Sequence, residues 1–238
     1  SVARELDGLP GVSVERVSGP SRYSTARAVA RKVRTITGAA PSEVFVATGG
    51  DFADALAVSQ IAARRSSPVV LARPGAPAAD TVAAVTATGA RRAYIIGGTA
   101  AVSAAVENAL ATALGRSAVL RAAGSDRYAT AAKVMDLNER IAGEPIAGVY
   151  LASGRVFADA IAGGPAAAID GSGLLLTRPV RLESVASAAL ATSRRRSSAE
   201  KIVVLGGTSA LGDFVGFDAL RALDPKATYP PRYATFRP

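Results

Sequence analysis

Short apolar runs alternate along the chain with longer stretches in which apolar residues recur every three or four positions. Runs of the first kind are typical of buried strands, and stretches of the second kind are typical of helices with one buried face. Strict alternation of the two predicts an α/β fold of tandem βα repeats, with parallel sheets flanked by helices. The strands predicted after residue 40 span 44–47, 69–72, 93–96, 118–120, 149–152, 174–176 and 202–205.

The residues before these strands carry their own pattern. A short helix is predicted over 1–9 and a strand over 12–17, where valine alternates with polar residues. Ser21 is placed to cap a further helix that begins at Arg22. Because residues 102–121 show the same order of helix and strand, the start of the chain resembles the tail of a preceding unit.

The central stretch of this pattern occurs twice. Residues 44–57 read Val-Phe-Val-Ala-Thr-Gly-Gly-Asp-Phe-Ala-Asp-Ala-Leu-Ala, and the stretch returns with small changes at 149–162. Asp54 and Asp159 hold the same place in the two copies, 105 positions apart. Internal self-similarity of this kind is the signature of a repeat protein.

Further blocks recur in the same order. An Arg-Tyr-x-Thr block at 22–25 returns at 127–130 and again at 232–235, while an apolar run ending in Arg-Pro at 70–74 returns at 175–179. A Gly-Gly-Thr block returns 109 positions later, which indicates about four inserted residues in the second copy, placed in the polar stretch 193–198. We therefore predict a tail-like segment at 1–17, repeats at 18–121 and 122–228, and a stub of a third repeat at 229–238.

The absence of two residue types limits the chemistry. The 238 residues include no cysteine and no histidine, which excludes disulfides, thiolate nucleophiles and Ser-His-Asp sites built from this chain alone. No apolar run reaches the about 18 residues of a membrane span. The first residues do not form a signal peptide, which indicates a protein that is not exported, or a mature or trimmed form.

The formal charge of +9 is carried almost entirely by arginine, since only four of the 28 basic residues are lysines. Arginine's planar fork suits carboxylate and phosphate groups, so a polyanionic partner is one interpretation. An arginine-biased composition with arginine on every solvated face is the other. The basic residues are not interleaved with aromatic ones, which argues against nucleic acid.

The recurring polar and glycine residues follow predicted strands and precede predicted helices. In a parallel sheet such loops gather at the carboxyl edge of the strands, where open α/β folds bind ligands and where helix N-termini favour anions. We therefore expect one ligand-binding edge in each repeat. Its candidate residues are Arg22, Tyr23, Thr48, Gly49, Asp54, Gly97, Gly98 and Thr99 in the first copy, and Arg127, Tyr128, Ser153, Gly154, Asp159, Gly206, Gly207 and Thr208 in the second.

Each of these residue types also has a structural interpretation. Tight turns need glycine without any ligand, and the recurring aspartates can serve the free amides at a helix start. The arginines can bind an anion or pair with a nearby carboxylate, the tyrosines can pack or stack on a sugar, and the threonines can cap helices. Asp51 is not repeated, because Val156 holds its place, so no pair of carboxylates recurs for acid–base catalysis.

Taken together, the blocks resemble the type 2 cell-wall-binding repeat of Gram-positive bacteria. The resemblance covers nearly the whole chain and implies Toprim-like α/β sandwiches that attach exported proteins to the wall through anionic polymers. It implies no catalytic residue, metal or cofactor in this chain. It rests on residues 22–26, 48–49, 52–57, 68–71, 96–99 and 102–103, which recur in the second half.

Three functions follow from these patterns. The first is a non-catalytic, extracellular wall-binding module whose partner is an anionic cell-wall glycopolymer or peptidoglycan. The second is a structural module that forms a homo-oligomer, since family members commonly carry three repeats and this chain has two and a stub. The third is an enzyme that uses Asp54 or Asp159 with a divalent metal on phosphate-containing wall polymers.

Overall fold

The computed structural model describes residues 2–228, except for the side chains of Ser193, Arg194 and Arg196. The predicted stub at 229–238 lies outside the described residues. After a short helix α1 (Val2–Asp7), the first repeat alternates helices and strands as the pattern predicts. Its elements are α2 (Arg22–Thr37), β1 (Glu43–Thr48), α3 (Ala53–Arg64), β2 (Val69–Ala72), α4 (Ala78–Thr86), β3 (Arg92–Ile96) and α5 (Ala104–Leu114).

A strand and a long helix connect the two repeats, and the second repeat then follows the order of the first. The connecting elements are β4 (Val119–Ala122) and α6 (Arg127–Ala142). The remaining elements are β5 (Gly148–Ser153), α7 (Ala158–Ile169), β6 (Gly173–Thr177), α8 (Ser184–Leu190), α9 (Ser193–Ser198), β7 (Lys201–Val204) and α10 (Asp213–Leu223).

The strands form two parallel sheets, which confirms the predicted fold class. The first sheet has the order β2-β1-β3-β4, and the second has the order β6-β5-β7. The pairing registers are equivalent, since Phe45 pairs with Val69 in the first sheet and Tyr150 with Leu174 in the second. Strand β4 pairs with β3 in the first sheet, while the helix that follows it packs on β6 of the second sheet. The connection between the repeats therefore belongs to both.

One predicted strand is absent. Residues 12–17 form no strand, and Val12 remains 45% exposed. A strand is stable only when its backbone groups pair with a neighbouring strand, and within residues 2–228 none lies beside this segment. The prediction of a strand over 12–17 from its alternating pattern is therefore wrong.

The two repeats share one hydrophobic core. A cluster of buried residues on one side of the first sheet, including Phe45 and Ile61, continues into Leu151 and Leu174 of the second sheet. Helices α3 and α7 pack most closely where the repeats meet. They cross at equivalent positions, because a Cβ atom added to Gly164 would lie 2.0 Å from Ser59 Oγ, 105 residues earlier in the chain. A small residue is required at this crossing.

We predict that Gly164→Leu lowers the free energy of unfolding by about 2 kcal/mol or more, because the larger side chain forces the two helices apart. Denaturant titration followed by circular dichroism measures the change. Ala162→Leu is the matched control, since Ala162 lies on the exposed side of the same helix. Equal stability of the two variants would contradict close packing at the crossing.

Candidate functional site

The Arg-Tyr-x-Thr block fixes the loops at the carboxyl edge of the strands, and it begins with an arginine. Arg22 donates from Nη1 to the carbonyl oxygen of Gly49 at 2.8 Å, and Arg127 donates in the same way to Gly154 at 2.7 Å. Each arginine thus connects the first turn of a helix to the loop that follows the central strand of its repeat. A second donor of Arg127 pairs with Asp51 Oδ2 at 2.9 Å, across the junction between the repeats.

The tyrosine of the block packs on the same loop. A Cβ atom at Gly49 would lie 2.3 Å from Tyr23 Cε1, and one at Gly154 would lie 2.5 Å from Tyr128 Cε1. These close contacts explain why glycine recurs in the Thr/Ser-Gly turn. A guanidinium group also lies over each ring, and it belongs to Arg73 at 4.5 Å in the first repeat and to Arg178 at 5.4 Å in the second. Each tyrosine ring therefore contacts both a glycine and an arginine.

The threonine of the block holds the loop before its own helix. Thr25 Oγ1 accepts a hydrogen bond from the Gly19 N–H at 3.1 Å, and Thr130 does the same for Gly124. Ser21 Oγ accepts from the Ser24 N–H, which confirms the predicted cap at the start of α2. Three side chains on one helical turn thus position two loops.

The recurring hydroxyl after each central strand forms a local turn. Thr48 Oγ1 accepts from the Gly50 N–H at 3.0 Å, and Ser153 Oγ accepts from the Arg155 N–H at 3.3 Å. Both residues are almost fully buried. Asp51, which has no counterpart, accepts from the first amides of the following helix, beginning with Phe52 N at 2.6 Å.

The recurring aspartates lie in the first turn of their helices, as expected, but they face a neighbouring loop. Asp54 Oδ2 would lie 2.2 Å from a Cβ atom at Gly97, and Asp159 Oδ2 would lie 2.5 Å from one at Gly206. Gly97 also has a φ of 101°, which only glycine adopts without strain. Burial, and secondarily the Asp51 carboxylate, raises the pKa of Asp54 to about 6, although Arg127 acts to lower it.

The two Gly-Gly-Thr loops also lie at the carboxyl edge of the strands. Gly98 and Gly207 have open space where a Cβ atom would stand, and Thr99 and Thr208 are exposed. The interpretation of these threonines as helix caps is wrong, since α5 is capped by Ser103 and α10 begins after Gly212. The two carbonyls at 98 and 207 instead accept from the turns that follow them.

Sequence reasoning did not find a second group of basic residues, which lies along α2. Arg27, Arg31 and Arg34 follow one face of this helix at intervals of four and three residues, and all three are exposed. No carboxylate within residues 2–228 forms an ion pair with them or with Arg73. We call these four residues the arginine row. The helical spacing and the recurring Arg-Pro block are the sequence signals that could have found it.

The arginine row lines a groove between α2 and α4. An open cleft of about 440 Å³ lies at one end, beside Arg31, Arg34 and Ala87. A smaller cleft of about 50 Å³ lies at the other end, beside Tyr23, Arg27, Arg73 and Asp80. The small cleft brings the groove to the predicted ligand edge, because Tyr23 belongs to both.

The same groove is filled in the second repeat. The counterparts of Arg31 and Arg34 are Asp136 and Glu139, 105 residues later, so the charge is reversed at both positions. Arg195, which is 1% exposed, donates to Asp136 at 2.7 Å, to Glu139 at 3.0 Å and to the carbonyl oxygen of Ala189 at 2.6 Å. Arg195 lies in α9, within the predicted insertion. The second repeat thus supplies its own cation where the first repeat presents cations to solvent.

Among residues 2–228, no group of three or more Asp and Glu side chains is arranged to hold a metal ion. None of the described helices is both long and apolar enough to cross a membrane.

These features define a tandem-repeat α/β protein in which recurring side chains organise the strand-end loops. The sequence profile of Cell wall binding domain 2 (CWB2) matches residues 16–107 and 121–215. The chain belongs to this family, and it is a cell-wall-binding module. The predicted resemblance is confirmed.

Two proteins of Bacillus subtilis match most of this chain. The chain is 29% identical over 203 residues to the N-acetylmuramoyl-L-alanine amidase LytC of Bacillus subtilis (strain 168), which is 85% of this chain and 38% of that protein. It is 32% identical over 172 residues to the Amidase enhancer of the same organism, which is 71% of this chain and 22% of that protein. In each case the chain spans well under half of the relative.

Solved structures share the fold. Cwp8 from Clostridium difficile aligns over 90% of this chain and 33% of its own, with a TM-score of 0.73 and 25% identity. Cwp6 from the same organism aligns over 91% of this chain and 34% of its own, with a TM-score of 0.71 and 19% identity.

We predict that Asp54→Asn reduces the loss of stability that accompanies a rise in pH from about 4 to about 6. The folded protein holds a proton at Asp54 up to about pH 6, whereas the unfolded chain releases it near the ordinary value of 3.8. The folded state therefore binds more protons in this window, and its stability falls as the pH rises, by about 2 kcal/mol for this group.

Denaturant titrations at pH 4 and pH 7 on both proteins measure this difference. Asp159→Asn is the matched control, because that aspartate makes the same contact with a glycine loop but has Val156 in place of the neighbouring carboxylate. An unchanged pH dependence in Asp54→Asn would overturn the assignment.

Proposed function

We propose that the chain is a non-catalytic module that binds an anionic cell-wall polymer in the groove between α2 and α4 of its first repeat. The arginine row is the observation that carries this proposal. Three of its guanidinium groups extend over about 10 Å of one helix face, from Arg27 to Arg34. A row of unpaired cations beside an open cleft suits repeated phosphate or carboxylate groups better than a single small anion.

The strand-end residues extend this proposed surface. The small cleft joins the groove to the loops at the carboxyl edge through Tyr23 and Arg73. The exposed Thr99 of the Gly-Gly-Thr loop provides a hydroxyl group there. The other candidates at this edge remain predicted ligand contacts, although several of them also hold the loops in place.

The comparison of the two repeats supports different contributions of the repeats to polymer binding. Arg195 already satisfies the carboxylates at the corresponding groove of the second repeat, and Arg178 pairs with Glu183. We propose that the first repeat binds the polymer and that the second contributes less. Each charged group of the polymer would make only a weak contact. Several modules that bind one polymer at the same time would raise the overall affinity.

The family and the relatives support a location at the cell wall for this function. We propose that the module belongs to an exported protein of a Gram-positive bacterium and that it holds that protein at the cell wall. Its relatives include a protein named as an amidase, and the match covers only part of it, so any catalytic domain would lie outside this chain. Peptidoglycan is the alternative partner, and the binding experiment separates it from the anionic polymer.

We predict that replacing Arg27, Arg31 and Arg34 together with glutamine weakens binding to purified cell walls by about tenfold or more, because charge-assisted hydrogen bonds are lost. Sedimentation of protein with walls measures the bound fraction. Binding of the unchanged protein should also weaken as salt rises to 1 M, since exposed charge interactions are screened.

The matched control replaces the exposed residues Arg4, Arg91 and Arg92 with glutamine, which lowers the formal charge of +9 equally but leaves the groove intact. Acid extraction of anionic polymers from the walls should abolish binding of the unchanged protein. Binding that survives extraction would assign peptidoglycan as the partner, and equal weakening in both triple variants would overturn the groove.

A further inference from the structure

The small cleft beside Tyr23 brings together polar side chains that do not hydrogen-bond to one another. Its lining also includes Arg27, Arg73, Asp80 and Thr81. Among residues 2–228, no ion pair involves the Asp80 carboxylate or either arginine. In the same part of the chain, no side-chain hydrogen bond involves Thr81, Asp80 or the Tyr23 hydroxyl group. These polar groups are therefore left for solvent or for a ligand.

Thr81 is the most buried residue of the cleft lining. It is only 5% exposed, yet no residue within 2–228 satisfies its hydroxyl group. A buried polar group without a hydrogen-bond partner costs free energy. Because Thr81 lines the cleft, the partner of its hydroxyl group has to be water or a ligand that enters there.

The second repeat has apolar residues at the equivalent positions. The counterparts of Arg27, Asp80 and Thr81, 105 residues later, are Ala132, Val185 and Ala186. The two alanines are buried, and the valine packs against the shared core. The fold therefore does not require a polar side chain at any of these three positions.

Asp80 also has a structural interpretation, because it lies in the first turn of α4. A carboxylate at that place interacts favourably with the helix dipole. Helix α8, the counterpart of α4, nevertheless begins without an acidic residue in its first turn. Helix stability thus does not account for a carboxylate beside the arginine row.

The cleft combines several hydrogen-bond donors with one group that only accepts. The two arginines and the hydroxyl groups of Tyr23 and Thr81 can donate, whereas the ionised carboxylate of Asp80 can only accept. A bare polyanion presents acceptors alone, so it suits the donors but is repelled by Asp80. A unit that has a hydroxyl group beside a phosphate suits both.

Size and donor number narrow the ligand further. The cleft of about 50 Å³ has room for only a few water-sized groups, so it admits one small unit of a polymer. Phosphate suits several donors around one small cleft better than carboxylate does, because it has more acceptor oxygens.

We propose that the small cleft is a subsite for one polyol-phosphate unit of the wall polymer, and that Asp80 selects such units against bare polyanions. A hydroxyl group of the unit donates to the Asp80 carboxylate, while Arg27 and Arg73 donate to the phosphate next to it. The Thr81 hydroxyl group bonds to the part of the unit that lies deepest in the cleft. This assignment rests on the proposed polymer groove, and it adds the contact that distinguishes the polymer from other polyanions.

Two soluble probes separate hydrogen bonding from charge. Poly(glycerol phosphate) has a hydroxyl group beside each phosphate, and inorganic polyphosphate has none. Isothermal titration calorimetry measures the dissociation constant of each probe. Asp80→Ala should raise the constant for poly(glycerol phosphate) about fivefold or more, because a charge-assisted hydrogen bond is lost. The same variant should lower the constant for polyphosphate about twofold, because a repulsive charge is removed.

Two further variants serve as comparisons, and circular dichroism checks that all of them fold. Asp80→Asn keeps an acceptor oxygen without the charge, so it should bind poly(glycerol phosphate) more tightly than Asp80→Ala does. Glu200→Ala is the matched control, since it removes one exposed carboxylate outside the groove. It changes the net charge equally and should leave both dissociation constants unchanged.

An Asp80→Ala variant that binds both probes more tightly would overturn the subsite, because the carboxylate would then act by repulsion alone. Unchanged binding of both probes by this variant, or no binding of either probe by the unchanged protein, would overturn it as well. Failure of the groove itself has a different signature. In that case the triple glutamine variant of Arg27, Arg31 and Arg34 would bind cell walls as tightly as the unchanged protein does.

Discussion

The contact between an aromatic ring and a glycine at the end of the central strand is the constraint on which each repeat depends. Tyr23 lies against Gly49 so closely that no side chain could stand there, and the arginine beside it donates to the carbonyl of the same glycine. The helix is thereby fixed relative to the strand-end loop at two points. Since both repeats preserve this arrangement, the Arg-Tyr-x-Thr block is explained by folding before any ligand is considered.

The two repeats differ in charge at equivalent positions of helices α2 and α6. On α2 the positions facing the neighbouring helix carry arginine, and on α6 the equivalent positions carry Asp136 and Glu139. Burying a guanidinium group such as that of Arg195 is costly unless carboxylates compensate its charge with hydrogen bonds, and Asp136 and Glu139 do so. The inserted residues of the second repeat are thus structurally linked to the substitutions on α6. One groove thus holds an internal ion-pair network, and the other presents a solvent-exposed basic surface.

Periodicity and repetition predicted most of the fold, because a local pattern of apolar and polar residues marks most of the strands and helices. The strand over 12–17 was predicted from an equally good pattern and is absent, since strand formation depends on a partner that a local pattern cannot supply. The candidate residues Arg22 and Tyr23 were located correctly at the strand-end edge. Their contacts with Gly49 could not be predicted, because those distances depend on how the helix packs. The arginine row was missed for a different reason: its three arginines on α2 do not recur, and repetition was the signal being followed.

A strand shared across a junction also changes what counts as one unit. Strand β4 completes the sheet of the first repeat, while the helix that follows it covers the sheet of the second. Neither repeat therefore buries its surfaces fully by itself, and their shared core extends from Phe45 to Leu174. Stability in such a protein includes a term for each junction between neighbours, as in other repeat proteins.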